Sequence, residues 1–308
     1  MKNPCRVLLP LLMLLMAQWV SAAELAITRV TQSVYSAIGE TLPPSYENGG
    51  HNNNLSFVVT GDGVLVVNGG DSYLLAQALH RAIRARTDQP VRWVVNENGQ
   101  GHAFLGNSYW AEQGVPIIAQ RDAIEEIKLH GEAVLSNMRK RNKEKAAGTS
   151  VAVPGRAVDE LLVLQIGTTR IEILQFGAAH SPGDISVWLP QSRVLIAGDI
   201  AFHQRLLGIF PDTDVASWIE SLGKMAALDP QIVVPGHGAP TNMQAIEETT
   251  LGYLLFLTGE MERILEEDGD LSDAYAIDQS AYEHLNTFKE LAGKNAGRLF
   301  QTMEMDSF

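Results

Sequence analysis

Four residues of this chain, His102, His180, Asp199 and His237, are metal-ligand types set in similar surroundings. Each stands at the end of a predicted strand or at the mouth of the helix that follows it. Glycines lie close by: Gly101 before His102, Gly183 after His180, Gly198 before Asp199, and Gly236 and Gly238 around His237. Imidazole and carboxylate are first-rank ligands for zinc and its neighbours, and glycine lets backbone turn tightly or approach a bound group. The separations along the chain are too wide for a local finger, so a site made of these residues must be assembled by the fold. In α/β proteins functional groups collect on the loops that leave strand ends at one edge of a sheet.

The elements that would position them follow from periodicity. Residues 55–60 and 64–68 read as strands joined by the turn Gly61-Asp62-Gly63. A helix capped by Asp71 or Ser72 runs to about Arg86, with Leu74, Leu75, Ala78, Leu79, Ala82 and Ile83 on one face. The nearly continuous apolar run 90–96 predicts a strand covered on both sides. A polar, glycine-rich loop, 97–101, delivers His102 to a short helix ending near Gln113. A strand over 115–119 and a long charged helix over 121–141 complete this half. After a weak linker, 146–155, come a hairpin (161–167 and 169–176), strands over 185–190 and 194–197, a helix over 215–228 and a strand over 231–235. From Asn242 the pattern is helical. Trp188, Trp218 and Phe256 read as core, as do Phe104, Tyr109 and Trp110 on the short helix.

Composition bounds the partners. Residues 1–23 carry Lys2 and Arg6, a short apolar run and Ser21-Ala22-Ala23, an export-signal pattern that predicts a periplasmic or secreted protein without a membrane span after cleavage. The single cysteine, Cys5, lies within that segment, so the mature chain has no thiolate ligand or nucleophile. The formal charge of −13 becomes −15 when Lys2 and Arg6 are removed, which disfavours nucleic acid. The basic run Arg139-Lys140-Arg141-Asn142-Lys143 reads as a solvated helix end.

Three segments carry a specific resemblance. Residues 176–185 resemble the third metal-histidine segment of the metallo-β-lactamase superfamily. Residues 195–200, Leu-Ile-Ala-Gly-Asp-Ile, resemble its bridging-acid strand, and 233–241, Val-Val-Pro-Gly-His-Gly-Ala-Pro-Thr, its last histidine loop. Residues 54–71 are similar to its opening hairpin. The resemblance implies a four-layer αββα sandwich over residues 24–240, with a helical C-terminal extension over 241–308 packed on the same domain. It also implies a metal site at one edge. Secreted quinoprotein-associated and sulfur-oxidation-associated members fit best.

The family's first motif, His-x-His-x-Asp-His, is altered. Aligning its last histidine with His102 puts Glu97, Gly99 and Gly101 on the other ligand positions. The resemblance then implies one metal ion, zinc or else iron or manganese, held by His102, Asp199 and His237. His180 and Glu97 are further ligands or outer hydrogen-bond partners. Glu97 or Asp199 would take a proton from a single metal-bound water. Asp184, His203 and Arg205 are candidates for the pocket or for the layer behind the ligands, and Arg205 could meet a carboxylate. The function implied is hydrolysis of a small-molecule ester, thioester, lactone or lactam. The alternatives are a metal-free, catalytically degenerate binding or accessory protein and, ranked below both, a true β-lactamase.

Overall fold

Apolar, largely β-branched runs recur in both halves of the chain, and in the computed structural model, which describes residues 25–306, they pair into two sheets. The first contains β1 (Thr28–Arg29), β2 (Val34–Ala37), β3 (Leu55–Val59), β4 (Val64–Val67), β5 (Val91–Val95), β6 (Ile117–Gln120) and β7 (Arg156–Val158) in chain order. Pairing is antiparallel from β1 to β4 and parallel from β4 to β7. The second contains β8 (Leu161–Ile166), β9 (Thr169–Leu174), β10 (Ser186–Leu189), β11 (Val194–Phe202) and β12 (Ile232–His237), ordered β12-β11-β10-β9-β8. Only β11 and β12 run parallel in it. The export-signal reading falls on residues 1–23, outside the described residues.

Strand β4 shows why its sequence is apolar throughout. Leu65 and Val67 face the space between the sheets, where Val58, Val95, Ile173, Ile196 and Val234 also pack. Val64 and Val66 face the other way, onto Leu79 and Ile83 of α1 (Tyr73–Arg84). Two short helices, α2 (Gly101–Phe104) and α3 (Asn107–Glu112), follow β5, and a long one, α4 (Arg121–Asn142), follows β6. On the far face of the second sheet, Leu195, Ala197 and Val233 pack against Trp218 and Leu222 of α5 (Val215–Ala226). The order of layers is helix, sheet, sheet, helix: the αββα sandwich.

The C-terminal elements are α6 (Met243–Ile246), α7 (Gly252–Glu266), α8 (Leu271–Ala276) and α9 (Phe288–Asp306). Ile246, Tyr253, Leu257, Ala274 and Phe300 join the same apolar core as α5 and β11. They also hold a loop. Asn295 of α9, fully buried, donates to Leu207 O (2.8 Å) and accepts from Ile209 N (2.9 Å), while Thr287 Oγ1 donates to Leu206 O (3.2 Å). Among the described residues no helix is long and apolar enough to cross a membrane.

Several elements differ from the sequence reading, each for a local reason. The helix expected to run unbroken from His102 divides at Gly106, whose backbone packs so tightly on Gly69 that a Cβ there would lie 2.0 Å from Gly69 O. Strand β11, expected to end at Ala197, continues to Phe202 through register shifts at Gly198. Gly198 has φ +65°, and a Cβ there would meet Glu97 Oε2 at 2.3 Å, so the bulge requires glycine for both conformation and space. Strand β7 forms just after the expected linker.

The two sheets are tied at the site edge by Asn54. Its Nδ2 donates to Pro235 O (2.8 Å) and Gly238 O (2.7 Å), and its Oδ1 accepts from Gly39 N (3.2 Å). Asn54→Ala would leave three backbone groups in a buried place without these partners. We expect it to lower unfolding free energy by about 2–4 kcal/mol in urea titrations. A loss below about 0.5 kcal/mol would show that Asn54 does not tie the sheets.

Candidate metal centre

Parallel strands β5 and β12 and the bulged end of β11 release their chains at one edge, and four of the predicted groups meet there. Asp199 is the centre. It is 1% exposed, and Nε2 of His102 lies 3.3 Å from its Oδ2 while Nε2 of His237 lies 3.3 Å from its Oδ1. His102 Nε2 is also 3.3 Å from Glu97 Oε1. Ligand atoms of Glu97, His102 and Asp199 all fall within 4.8 Å of one another.

The backbone and the outer partners set these orientations. A Cβ at Gly236 would stand 2.1 Å from Asp199 Oδ1, so that glycine opens the space for the carboxylate. His237 Nδ1 donates to Asn52 O (2.5 Å), which leaves Nε2 as a lone pair aimed at Asp199. Asn98 Nδ2 donates to Asp199 Oδ2 and to Asp184 Oδ1, at 3.3 Å each. Asp184 holds the turn below His180, accepting from Ser181 N (2.6 Å) and Ser181 Oγ (2.9 Å).

The charges follow from burial and proximity. Burial would raise Asp199, but the adjacent His102 cation outweighs it and holds its carboxyl well below the usual range. Burial would lower His102, and the Asp199 and Glu97 carboxylates override it, pushing the imidazole up to about 10. Glu97, buried beside Asp199, is pushed up to about 7. Burial takes His180 down to about 4 and also lowers His237, so both are neutral at pH 7.

These residues fit a metal ion. Asp199 Oδ1 is buried and has no hydrogen-bond donor among the described residues, and the atom facing it is the His237 Nε2 lone pair. Two acceptors in such contact lack a cation between them. The repeated 3.3 Å separations match the edge of a tetrahedron whose corners lie about 2.0–2.1 Å from its centre, the usual zinc–nitrogen and zinc–oxygen distance.

The remaining predicted residues are placed as follows. His180 lines the same cavity but stands farther off, its Nδ1 3.9 Å from Asp199 Oδ2 and 3.1 Å from Gln100 Nε2. Glu97, not His180, completes the tight group. Arg205 also lines the cavity. His203 does not: its Nδ1 lies 3.1 Å from Ala239 O and its N–H donates to His237 O (3.0 Å), so it fixes the His237 loop. Asp184 is likewise away from the cavity wall. The cavity measures about 300 Å³, with Phe202 and Phe210 on its apolar side.

Asn98, Gln100, Asp71 and Arg141 were missed in the sequence reading. The first two alternate with Gly99 in the loop before His102, a polar spacing that marks a loop facing a site. Arg141 corrects the reading of its basic run as a solvated helix end. Its guanidinium turns inward to pair with Asp71, and its Nε donates to Asn142 Oδ1 (2.9 Å).

The family model for the metallo-beta-lactamase superfamily matches residues 48–237, from the loop before β3 to the last histidine. The chain belongs to the metallo-β-lactamase superfamily. Within it, the chain is 24% identical over 207 residues to a metallo-beta-lactamase type 2 of Bacteroides fragilis, covering 62% of this chain and 74% of that one. It is 22% identical over 222 residues to a linear primary-alkylsulfatase of a Pseudomonas species, covering 61% of this chain and 42% of the other. A match to the 2,4-dinitroanisole O-demethylase subunit alpha of a Nocardioides species is 31% identical over 78 residues, 25% of this chain and 24% of that one. Among solved structures, a metallo-beta-lactamase from Pontibacter korlensis superposes with a TM-score of 0.61 at 21% identity, over 75% of this chain and 99% of that one. DIM-1 metallo-beta-lactamase gives 0.58 at 17%, over 74% and 96%. These superpositions establish the fold.

Asp71 supplies a pH test. Burial pushes its carboxyl up to about 6 from an ordinary 3.8, against the pull of Arg141. The folded chain therefore binds more protons than the unfolded one between those values, and Asp71's contribution to stability falls as pH rises through them. We expect the unfolding free energy of the metal-free protein, relative to that of Asp71→Asn, to decline on the order of 2–3 kcal/mol from pH 4 to pH 7. A difference independent of pH would contradict the assignment.

Proposed function

We propose that the protein is a metal-dependent hydrolase of a small-molecule ester, thioester, lactone or lactam, exported to the periplasm or beyond, and that it works with one divalent ion, zinc first. The observation that carries this reading is the orphaned Asp199 Oδ1 facing the His237 Nε2 lone pair inside a Glu97–His102–Asp199 cluster. His102, Asp199 and Glu97 would hold the ion, with His237 at the other carboxylate oxygen. When bound, such an ion acts as a Lewis acid and brings the pKa of a water toward neutrality.

The chain's own groups do the rest. Asn98 and the Asn52 carbonyl keep Asp199 and His237 from rotating out of the cluster. Glu97 turns only Oε1 to His102 Nε2, which leaves its other carboxylate oxygen as the one to accept a proton. Gln100 fixes the His180 ring at the cavity wall. Buried Phe202 and the more exposed Phe210 give that side an apolar wall, and a cavity of about 300 Å³ suits a small molecule.

A second reading, a binding or accessory protein without hydrolysis, is favoured by Gly99 and Gly101, which offer no ligand where the family motif has two. Metal content separates the two. We expect about one equivalent of metal after incubation with zinc, manganese or iron and desalting. His102→Ala and Asp199→Ala should each weaken binding at least tenfold. No stoichiometric metal with any of the three would sink the hydrolase reading. Because His102 is protonated at pH 7 in the metal-free protein, metal binding must release its proton. Glu97, at about 7, is half-protonated there and loses its share as well, so calorimetry at pH 7 in buffers of different ionisation enthalpy should show about 1.5 protons released per ion, and affinity rising with pH. Turnover of a chromogenic cephalosporin would move the assignment toward a β-lactamase.

A further inference from the structure

Strand β11 outruns its neighbour. Its register with β10 ends at Ile196, but the strand goes on to Phe202, the last residue paired with His237 of β12. His203 N donates to His237 O (3.0 Å), so the backbone of Phe202, one residue earlier, points the other way, where β10 has ended. Phe202 is buried, and its N–H and C=O need partners.

The C-terminal extension supplies them. Between α6 and α7 lies a π-helical turn, Glu247–Leu251, in which the Gly252 N–H reaches back five residues to Glu247 O. The wider turn carries two adjacent threonines to one residue. Thr250, fully buried, accepts from Phe202 N (2.9 Å) and donates to Phe202 O (2.9 Å). Thr249 Oγ1 also lies 2.9 Å from Phe202 O, but Ala245 O in its own helix is closer, at 2.7 Å. Of the two, Thr250 alone serves both backbone groups.

What Phe202 holds lies at the metal centre. Its ring stacks on the His237 imidazole, with centroids 5.1 Å apart and planes 21° from parallel. The bond from His237 Nδ1 to Asn52 O decides which nitrogen faces Asp199, but one bond at one ring atom leaves the plane of the imidazole to tilt. A flat face packed against that plane sets the tilt.

We propose that Thr250 is a positioning residue of the metal centre. It clasps the Phe202 backbone, and through the Phe202 ring it holds the His237 imidazole at the tilt that keeps Nε2 on Asp199 Oδ1. The clasp comes from outside residues 48–237, the region matched by the family model. That the held imidazole serves an ion rests on the hydrolase reading, but the holding itself does not.

Two measurements on the purified protein test this. The first is made after chelator treatment, without metal. Nuclear magnetic resonance should show cross-relaxation between the ring protons of Phe202 and His237. We expect Thr250→Ser, which keeps the hydroxyl, to preserve it and Thr250→Val, a near-isostere without the hydroxyl, to lose it. The second is zinc affinity, by competition with a chromogenic chelator. Thr250→Val should weaken it at least about tenfold, and Thr250→Ser should retain most of it. Two controls separate positioning from stability. Leu79→Ala opens a cavity on the outer face of the first sheet and should lower the melting temperature without weakening zinc binding. Thr258→Val, on α7, removes a buried hydroxyl that has no partner among the described residues and should alter neither readout. An unchanged ring contact or unchanged zinc affinity in Thr250→Val, or an equal loss of affinity in Leu79→Ala, overturns the proposal. Should the valine variant not fold, Phe202→Leu keeps the clasp and removes the ring, and undiminished zinc affinity there overturns it as well. A protein that binds no zinc but loses the ring contact in Thr250→Val loses only the hydrolase reading. One that binds zinc as tightly after Thr250→Val loses this proposal alone.

Discussion

Asp199 is a carboxylate removed almost entirely from water, and an ionised group in that position costs several kcal/mol unless charge and hydrogen bonds surround it. The protein surrounds it from two distant segments of the chain. His102 and Asn98 come from the segment after β5, and His237 comes from the end of β12, where Gly236 leaves the open space. None of these groups is a near neighbour of Asp199 in sequence. The two sheets must stack in register for them to meet, and Asn54, which binds the His237 loop to β3, helps hold that register. The site and the sandwich thus depend on each other: the buried charge needs the fold, and the edge of the fold is closed around the charge.

The layers were legible because periodicity and burial agree. An all-apolar strand such as β4 predicts cover on both faces, and it has it. The ligand-bearing loops were legible because histidine and aspartate beside glycine at strand ends are informative in any α/β chain. The relative distances were not. The His180 and His237 segments look equally ligand-like in sequence, yet one imidazole stands at 3.3 Å from Asp199 and the other at 3.9 Å. Glu97 is part of the tight cluster because the β11 bulge brings Gly198 against it, and a bulge leaves no reliable mark in a single sequence. Arg141 was hidden for a related reason. Its neighbours are solvated cations, and only the tertiary position of Asp71 turns it inward.

The altered loop before His102 is best understood together with the helix that covers it. The glycines at 99 and 101 are not simply losses, since α4 packs into the space that side chains there would need. The helix that packs on these glycines also carries Arg141, whose inward guanidinium lines the cavity beside the Glu97–His102–Asp199 cluster.

The stitching of α9 to the segment around Leu207 has a wider consequence. Arg205 and Phe210 flank that segment, and Asn295, some ninety residues later, fixes its backbone at two points. The shape of the pocket mouth is therefore written in a part of the chain that holds no ligand and lies beyond the family-wide region, which ends at His237. A substitution in the last helix can therefore reshape the pocket mouth without touching the cluster around Asp199.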